Sequence, residues 1–306
     1  MVNDEGLATR LKRMGRRGWT LKPYNMWGKD KPCPPRLVVN VYQGCEFAHK
    51  YCYIADCVKP QEGFREHLQD RIREAKRLGL EDVFVIVSSS TDPFQPIERE
   101  KRDSLFALDS LLSNGFPVLV MTRNPQILLE KEYRKVIENP RLYVDVSVPS
   151  THENDPDSVF YSAIAPSLDG IFGAIRELSD TGIYVRVKVE PIVPTTNMIH
   201  GQTEEEIKEV IRRSKDAGVK TIISKTMRLN EHVPRGLYDA LIVYYQSNGE
   251  RESYGNTTNL VLRSELRRQL LQPVYEASRE YAIPFCACVD ADVFSERTVS
   301  CRFEKY

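Results

Sequence analysis

Residues 36–53 read "RLVVNVYQGCEFAHKYCY". An apolar, largely β-branched run feeds directly into a loop that carries Cys45, His49 and Cys52. Such a run favours a strand, so the two thiols and the imidazole lie just past a strand's carboxyl end. Where parallel strands alternate with helices, ligands bind at that end. The fold therefore turns on whether the rest of the chain keeps such an alternation.

It does. Further runs are "DVFVIVSSS" (82–90), "PVLVMTR" (117–123), "LYVDVSVPS" (142–150), "IYVRVKVEPIV" (183–193) and "VKTIISKT" (219–226). Helix-like stretches lie between them near 62–79, 97–114, 126–138, 168–181 and 203–217. The last opens on a capping box, Thr203 to Glu206, and Gly218 follows it as a left-handed C-cap. Near-continuous apolar runs imply a parallel sheet covered on both faces. Six strands are too few for a closed eight-stranded barrel. The expectation is an α/β fold, a partial (β/α)6 TIM-like barrel over 35–230, with a basic amino-terminal extension (1–34) and a carboxyl-terminal extension (231–306). That last part reads mostly helical over 233–282 and ends in a short run, "IPFCACV". The polar loop 151–167 follows a strand, where active-site loops of such folds sit.

Lys plus Arg and Asp plus Glu each number 43 in 306 residues, so no overall field selects nucleic acid or a membrane. Positive charge gathers at the start, in Arg10, Lys12, Arg13, Arg16, Arg17, Lys22, Lys29, Lys31 and Arg36. Two readings stand: a solvated leader, or an arm for a phosphate backbone with Trp19, Tyr24 and Trp27 as stacking surfaces. Those aromatics could equally cap the open edge of the barrel. The opening is too charged for a secretory signal and no apolar run reaches membrane length, so a cytoplasmic protein with no membrane partner is expected. In that compartment clustered cysteines point to metal or catalysis rather than disulfides. The seven cysteines form two groups: Cys33, Cys45, Cys52 and Cys57, then Cys286, Cys288 and Cys301.

Asn40, Tyr42, Gly44, Cys45, His49, Tyr51, Cys52 and Tyr53 fall on the positions of a known loop, Asn-x-Tyr-x-Gly-Cys-x-x-x-Cys-x-Tyr-Cys-Tyr. Here the chain resembles the radical S-adenosylmethionine (radical SAM) enzymes, within them the spore photoproduct lyase-like, DNA repair photolyase group. The resemblance continues in "SSSTDPFQPIERE" (88–100), "VMTRNPQILLE" (120–130) and "LDGIFGAIRELSDTGIYVRVKVEPIVPTTN" (168–197), and covers roughly 37–226. It implies a 4Fe-4S cluster with one open iron for S-adenosyl-L-methionine. One-electron cleavage of the sulfonium would then yield a 5′-deoxyadenosyl radical that takes hydrogen from substrate. The implied cluster ligands are Cys45, His49 and Cys52. Tyr51 would lie near the adenine. Ser89, Ser90, Thr91 and Asp92 stand where relatives bind the methionine amino group, and Ser147 ends the fourth strand. Arg186, Lys188 and Glu190 alternate along the fifth strand and share a face, either as cofactor contacts or as a structural ion-pair network.

The chain departs from the pattern at His49, where the family has a cysteine. Four readings remain open: His49 ligates, Cys57 or Cys33 supplies the third thiolate, the site is degenerate, or the histidine is a substitution of this chain alone. A neutral imidazole in place of a thiolate raises the cluster potential, since two histidines on one iron lift it from about −400 mV to about −150 mV or above. Cys286, Cys288 and Cys301 have three readings. They could hold a second metal centre with Cys33 or Cys57. The resemblance implies that one of them returns hydrogen to a product radical. They could also be buried, inert thiols. A radical enzyme acting on a nucleotide-like or nucleic-acid substrate, served by a ferredoxin- or flavodoxin-like reductant, is the first expectation. A non-catalytic cluster-binding scaffold is the second.

Overall fold

The computed structural model describes residues 4–15, 20–24, 34–54, 58–254 and 257–294. All six expected runs are strands in an α/β fold whose sheet is mostly parallel. The chain divides into two compact units, one of Met1–Glu46, Ala55–Val146 and Gly173–Val185, the other of Phe47–Ile54, Ser147–Phe172 and Arg186–Tyr306.

In the first unit the elements are α1 (Asp4–Met14), β1 (Lys22–Tyr24), β2 (Arg36–Val39), β3 (Tyr42–Gln43), β4 (Lys59–Pro60), α2 (Phe64–Arg77), β5 (Val85–Val87), α3 (Glu98–Lys101), α4 (Asp103–Ser113), β6 (Val118–Thr122), α5 (Arg134–Ile137) and β7 (Leu142–Ser147, its last residue in the other unit). β2, β5, β6 and β7 pair in parallel in that order. Val85, Val87, Val118 and Val120 are fully buried on one face, and Ile86 and Leu119 are buried on the other, as strands covered on both faces require. β1 adds an antiparallel edge to β2, a strand that the sequence pattern does not announce.

Part of the basic leader is ordered. Arg71 of α2 is buried and donates to the carbonyls of Met14 (3.1 Å), Gly15 (3.0 Å) and Leu21 (3.2 Å). It thereby caps the carbonyls left open at the end of α1, so residues 4–14 are a docked helix rather than a solvated arm. Trp19, Trp27, Cys33, Cys57 and Cys301 lie outside the described residues. A second buried charge sits at Glu98. It accepts from the Tyr42 and Tyr133 hydroxyls and from the backbone N–H of Ser104 (2.9 Å) and Leu105 (3.0 Å), which holds the first turn of α4. Tyr42, a residue of the family loop, is thus a strut. Burial and the Glu98 charge push its hydroxyl pKa well up.

α6 (Leu168–Asp180) begins in the second unit and enters the first at Gly173, and β8 (Tyr184–Ile192) returns to the second at Arg186. There follow α7 (Glu204–Asp216), β9 (Thr221–Thr226), α8 (Arg235–Asn248), β10 (Gly249–Tyr254), β11 (Thr257–Leu262), α9 (Ser264–Glu280) and β12 (Phe285–Cys286). β8, β9 and β12 pair in parallel. The capping box of α7 forms as expected: Thr203 Oγ1 accepts from Glu206 N (3.2 Å), and Glu206 Oε2 accepts from Thr203 N (2.8 Å). Thr203→Ala should cost about 1 kcal/mol of stability and Thr203→Ser almost nothing, read as shifts in the urea midpoint. Equal loss in both variants would mean that the cap adds nothing.

The stretch 233–282 is mostly helical, as expected, in α8 and α9, and the antiparallel hairpin β10–β11 lies between them. One expectation for the carboxyl-terminal part is corrected. Cys286 and Cys288 do not alternate on a strand. β12 stops at Cys286, Ala287 turns (φ −80°, ψ 12°), and Cys288 takes a left-handed φ of 49° at the start of a 3-10 turn, Cys288–Val293.

Candidate cofactor site

In the first unit, the loop after β2 is laced to the turn after β5. Asn40 Nδ2 donates to Ser90 Oγ (2.7 Å), and Gln61 Nε2 donates to the carbonyls of Asn40 (2.6 Å) and Val41 (2.9 Å). Thr91 Oγ1 donates to the Gly44 carbonyl (2.5 Å), Gln95 Oε1 accepts from Glu46 N (2.8 Å), and Glu46 Oε2 accepts from Ile97 N (2.7 Å). Gly44 has φ 76°, a conformation open to glycine without strain. Cys45 is buried between these anchors. Ser88 also lies in the left-handed region, at φ 61°.

Of the expected methionine-binding turn, Ser89 is exposed, Ser90 and Thr91 are half-buried, and Asp92 is buried. Asp92 accepts from Phe94 N (2.8 Å), Thr122 Oγ1 (2.9 Å) and Arg123 N (2.6 Å). It joins the ends of β5 and β6, and burial lifts its carboxyl above the usual range in spite of these donors. Ser88 Oγ and Asn40 Oδ1, by contrast, are buried with no hydrogen-bond partner among the described residues. Buried polar atoms are nearly always satisfied, so two such oxygens beside one turn mark a place for a polar ligand.

In the second unit the loop continues from Phe47. Its carbonyl accepts from the Ser162 hydroxyl, Lys50 N donates to the Tyr161 carbonyl (3.1 Å), and Cys52 N donates to the His49 carbonyl (2.9 Å). His49 is buried, its ring 6.0 Å from Phe47 and 5.4 Å from Tyr51 between centroids. Tyr51 rests on Phe160 (5.6 Å) and on the apolar cluster of Val193, Met227 and Leu229. The histidine is thus part of a packed aromatic row, and the half-buried Cys52 follows it.

Arg186, Lys188 and Glu190 are all buried on β8, and half-buried Ser147 ends β7. Glu190 Oε1 pairs with Lys188 Nζ (2.7 Å) and with Lys225 Nζ of β9 (3.3 Å). Burial alone would raise the Glu190 pKa, but the two lysines outweigh it and hold it down at about 2. Its charge in turn pushes Lys225 up. The ion-pair network anticipated as one reading thus forms at Lys188 and Glu190, with Lys225 as its third member. It leaves Glu190 Oε2 buried with no hydrogen-bond partner among the described residues.

Lys225 escaped the sequence reading, although a lysine ending the otherwise apolar run "TIISKT" was a usable signal. So did Gln95, Gln61 and Asp290, whose roles depend on folding. Asp290 accepts from Thr226 N (2.7 Å), Arg228 Nη2 (2.8 Å) and Arg267 Nη1 (2.9 Å), and Arg267 also grips Asp292. Among the described residues no three His, Cys, Asp or Glu side chains gather as a metal-holding group. A second metal centre at Cys286 and Cys288 gains no support. Cys45, His49 and Cys52 likewise form no such group among the described residues, although two soft thiols and an imidazole are donor types that suit iron.

No family model matches the chain. The curated Radical SAM Nalpha-GlyT isomerase of Pseudomonas phage M6 is 24% identical over 223 residues, which cover 67% of this chain and 44% of that protein. The chain thus spans less than half of that relative. Among solved structures, spore photoproduct lyase complexed with dinucleoside spore photoproduct superposes with TM-score 0.62 at 13% identity, covering 92% of this chain and 84% of that one. SuiB of Streptococcus suis bound to S-adenosylmethionine gives TM-score 0.54 at 13% identity, with 85% of this chain and 54% of that one covered. The expected fold and the sequence likeness meet in one place: the chain has the fold of the spore photoproduct lyases and is similar in sequence to a curated radical SAM isomerase.

Proposed function

We propose that the chain is a radical SAM enzyme that abstracts hydrogen from a nucleotide-like substrate. Cys45, His49 and Cys52 would hold a 4Fe-4S cluster. Ser89, Ser90, Thr91, Tyr51, Ser147, Arg186, Lys188 and Glu190 would hold S-adenosylmethionine, and Asp92 would set the turn that presents the serines. What the bound pair supplies is reductive cleavage of the sulfonium to a 5′-deoxyadenosyl radical. The chain's own part is to bind, orient and keep water out. The single observation that carries this reading is the pair of buried oxygens on Asn40 and Ser88, with no hydrogen-bond partner among the described residues, beside the ends of β2 and β5.

Cys286 or Cys288 would return hydrogen to the product radical, and a ferredoxin- or flavodoxin-like protein would supply electrons in the cytoplasm. No helix among the described residues is long and apolar enough to cross a membrane. The substrate class is supported by the relatives, one of them a complex with a dinucleoside photoproduct. Anaerobic reconstitution with iron and sulfide, reduction, and assay for 5′-deoxyadenosine test the reading. Product is expected from the native chain and none from Cys45→Ala. An intact cluster that yields none would leave a non-catalytic binder on the same scaffold.

A further inference from the structure

Cys286 and Cys288 lie in an unusual turn. Cys286 pairs in register with Ile223 of β9, and Asp290 is bonded to Thr226 at the end of the same strand. Cys288 is held between these two fixed points, next to the part of β9 that carries Lys225. The Lys225 ammonium pairs with Glu190 (3.3 Å) and lies within electrostatic range of Cys288. The backbone of Cys288 is left-handed (φ 49°), a conformation that residues other than glycine adopt rarely. Its N–H points at the Cys286 sulfur, 3.4 Å away. The turn therefore folds one cysteine's sulfur back over the other's backbone, with a cation alongside. Strain of this kind in a tightly anchored segment collects where function needs a particular side-chain placement.

We propose that Cys286 and Cys288 are a reversible redox pair, with Cys288 as the attacking thiolate and Lys225 as the cation that favours its ionised form. A nearby ammonium lowers a thiol's pKa and raises its reactivity. With a small-molecule disulfide such as oxidised glutathione, the Cys288 thiolate attacks one sulfur and releases the other half as a thiol. The Cys286 thiolate then displaces the bound half and closes the Cys286–Cys288 bond. The protein loses two protons and two electrons, and the small disulfide is reduced to two thiols.

The turn supports closure, since two residues two apart across a turn fall within disulfide range more readily than on an extended strand. The inference needs neither cluster nor S-adenosylmethionine, so it can fail or stand apart from the proposed function.

The full chain, reduced and freed of reductant under argon, is treated with oxidised glutathione, quenched with N-ethylmaleimide and digested with trypsin. Cleavage after Arg279 and Arg297 leaves residues 280–297 as one peptide that contains Cys286 and Cys288 and no other cysteine. The expected product is this peptide without label and lighter by two hydrogens, with two maleimides appearing after prior reduction. Two maleimides after oxidation, a retained glutathione, or a cross-link to another cysteine peptide would each overturn the proposal. At limiting iodoacetamide, Cys288 should react about tenfold more slowly in Lys225→Met than in the native chain, and at a near-native rate in Lys225→Arg. Equal rates in all three proteins would remove Lys225 from the argument and the thiolate assignment with it.

Discussion

His49→Cys lowers the midpoint potential of the reconstituted cluster by about 120 mV, half the separation between bis-histidine and all-cysteine 2Fe-2S centres. For a one-electron couple that shift is about 100-fold in the equilibrium for electron transfer from the reduced cluster to the sulfonium, so 5′-deoxyadenosine should form faster in the variant once both clusters have been fully reduced. The imidazole is neutral where a thiolate is charged, and its buried place between Phe47 and Tyr51 gives water little part in offsetting the difference. Redox titration followed by electron paramagnetic resonance measures the potential without reference to turnover. An unchanged potential would take His49 out of the ligand set and turn attention to Cys33 or Cys57.

Asp290→Ala should cost about 3–5 kcal/mol, the usual result of removing one partner from a buried charge network. Asp290 is fully buried, and Arg228 and Arg267 are both directed at it, with 13% and 9% of their side chains exposed. Without the carboxylate two guanidinium groups face each other across a buried gap, and the turn that carries Cys288 loses its bond to β9. Burial alone would raise the Asp290 pKa. The arginines and the Thr226 N–H more than offset it, and the native value lies below the usual one. The sign follows: this stabilisation is complete above the unfolded pKa of about 4 and is lost as pH falls through the lower native value. Urea midpoints of the native chain and the variant at pH 7 and at pH 3 measure both effects. A difference under about 1 kcal/mol at pH 7 would mean that the network is slack.

The six strands were legible because each is a β-branched run with both faces buried, a pattern that little else produces. The hairpin β10–β11 was not. Glu250, Arg251 and Glu252 give β10 no apolar alternation, and such a polar ribbon is indistinguishable from a helix surface by composition. One signal was present: a Cβ on Gly249 would come within 2.6 Å of the Tyr245 carbonyl and 2.7 Å of the Val261 carbonyl, so that glycine marks the break after α8.

The same blindness hid Glu98 and Arg71. Each sits in a charged helical stretch, and sequence does not say which one of several like residues turns inward. At the candidate site, the residues after β2 and β5 were legible from position alone. That Asp92 is spent on a turn while Ser88 Oγ finds no partner among the described residues depends on side-chain direction, which no run of letters encodes.

Two ammonium groups leaning on one oxygen make the β8–β9 trio of Lys188, Lys225 and Glu190 an electrical unit of charge +1. Under the proposed function an arriving carboxylate would bring this unit to neutrality with no proton gained or lost. One lysine would turn to the newcomer while the other kept Glu190 ionised, so that an anionic guest could enter and leave at constant protonation.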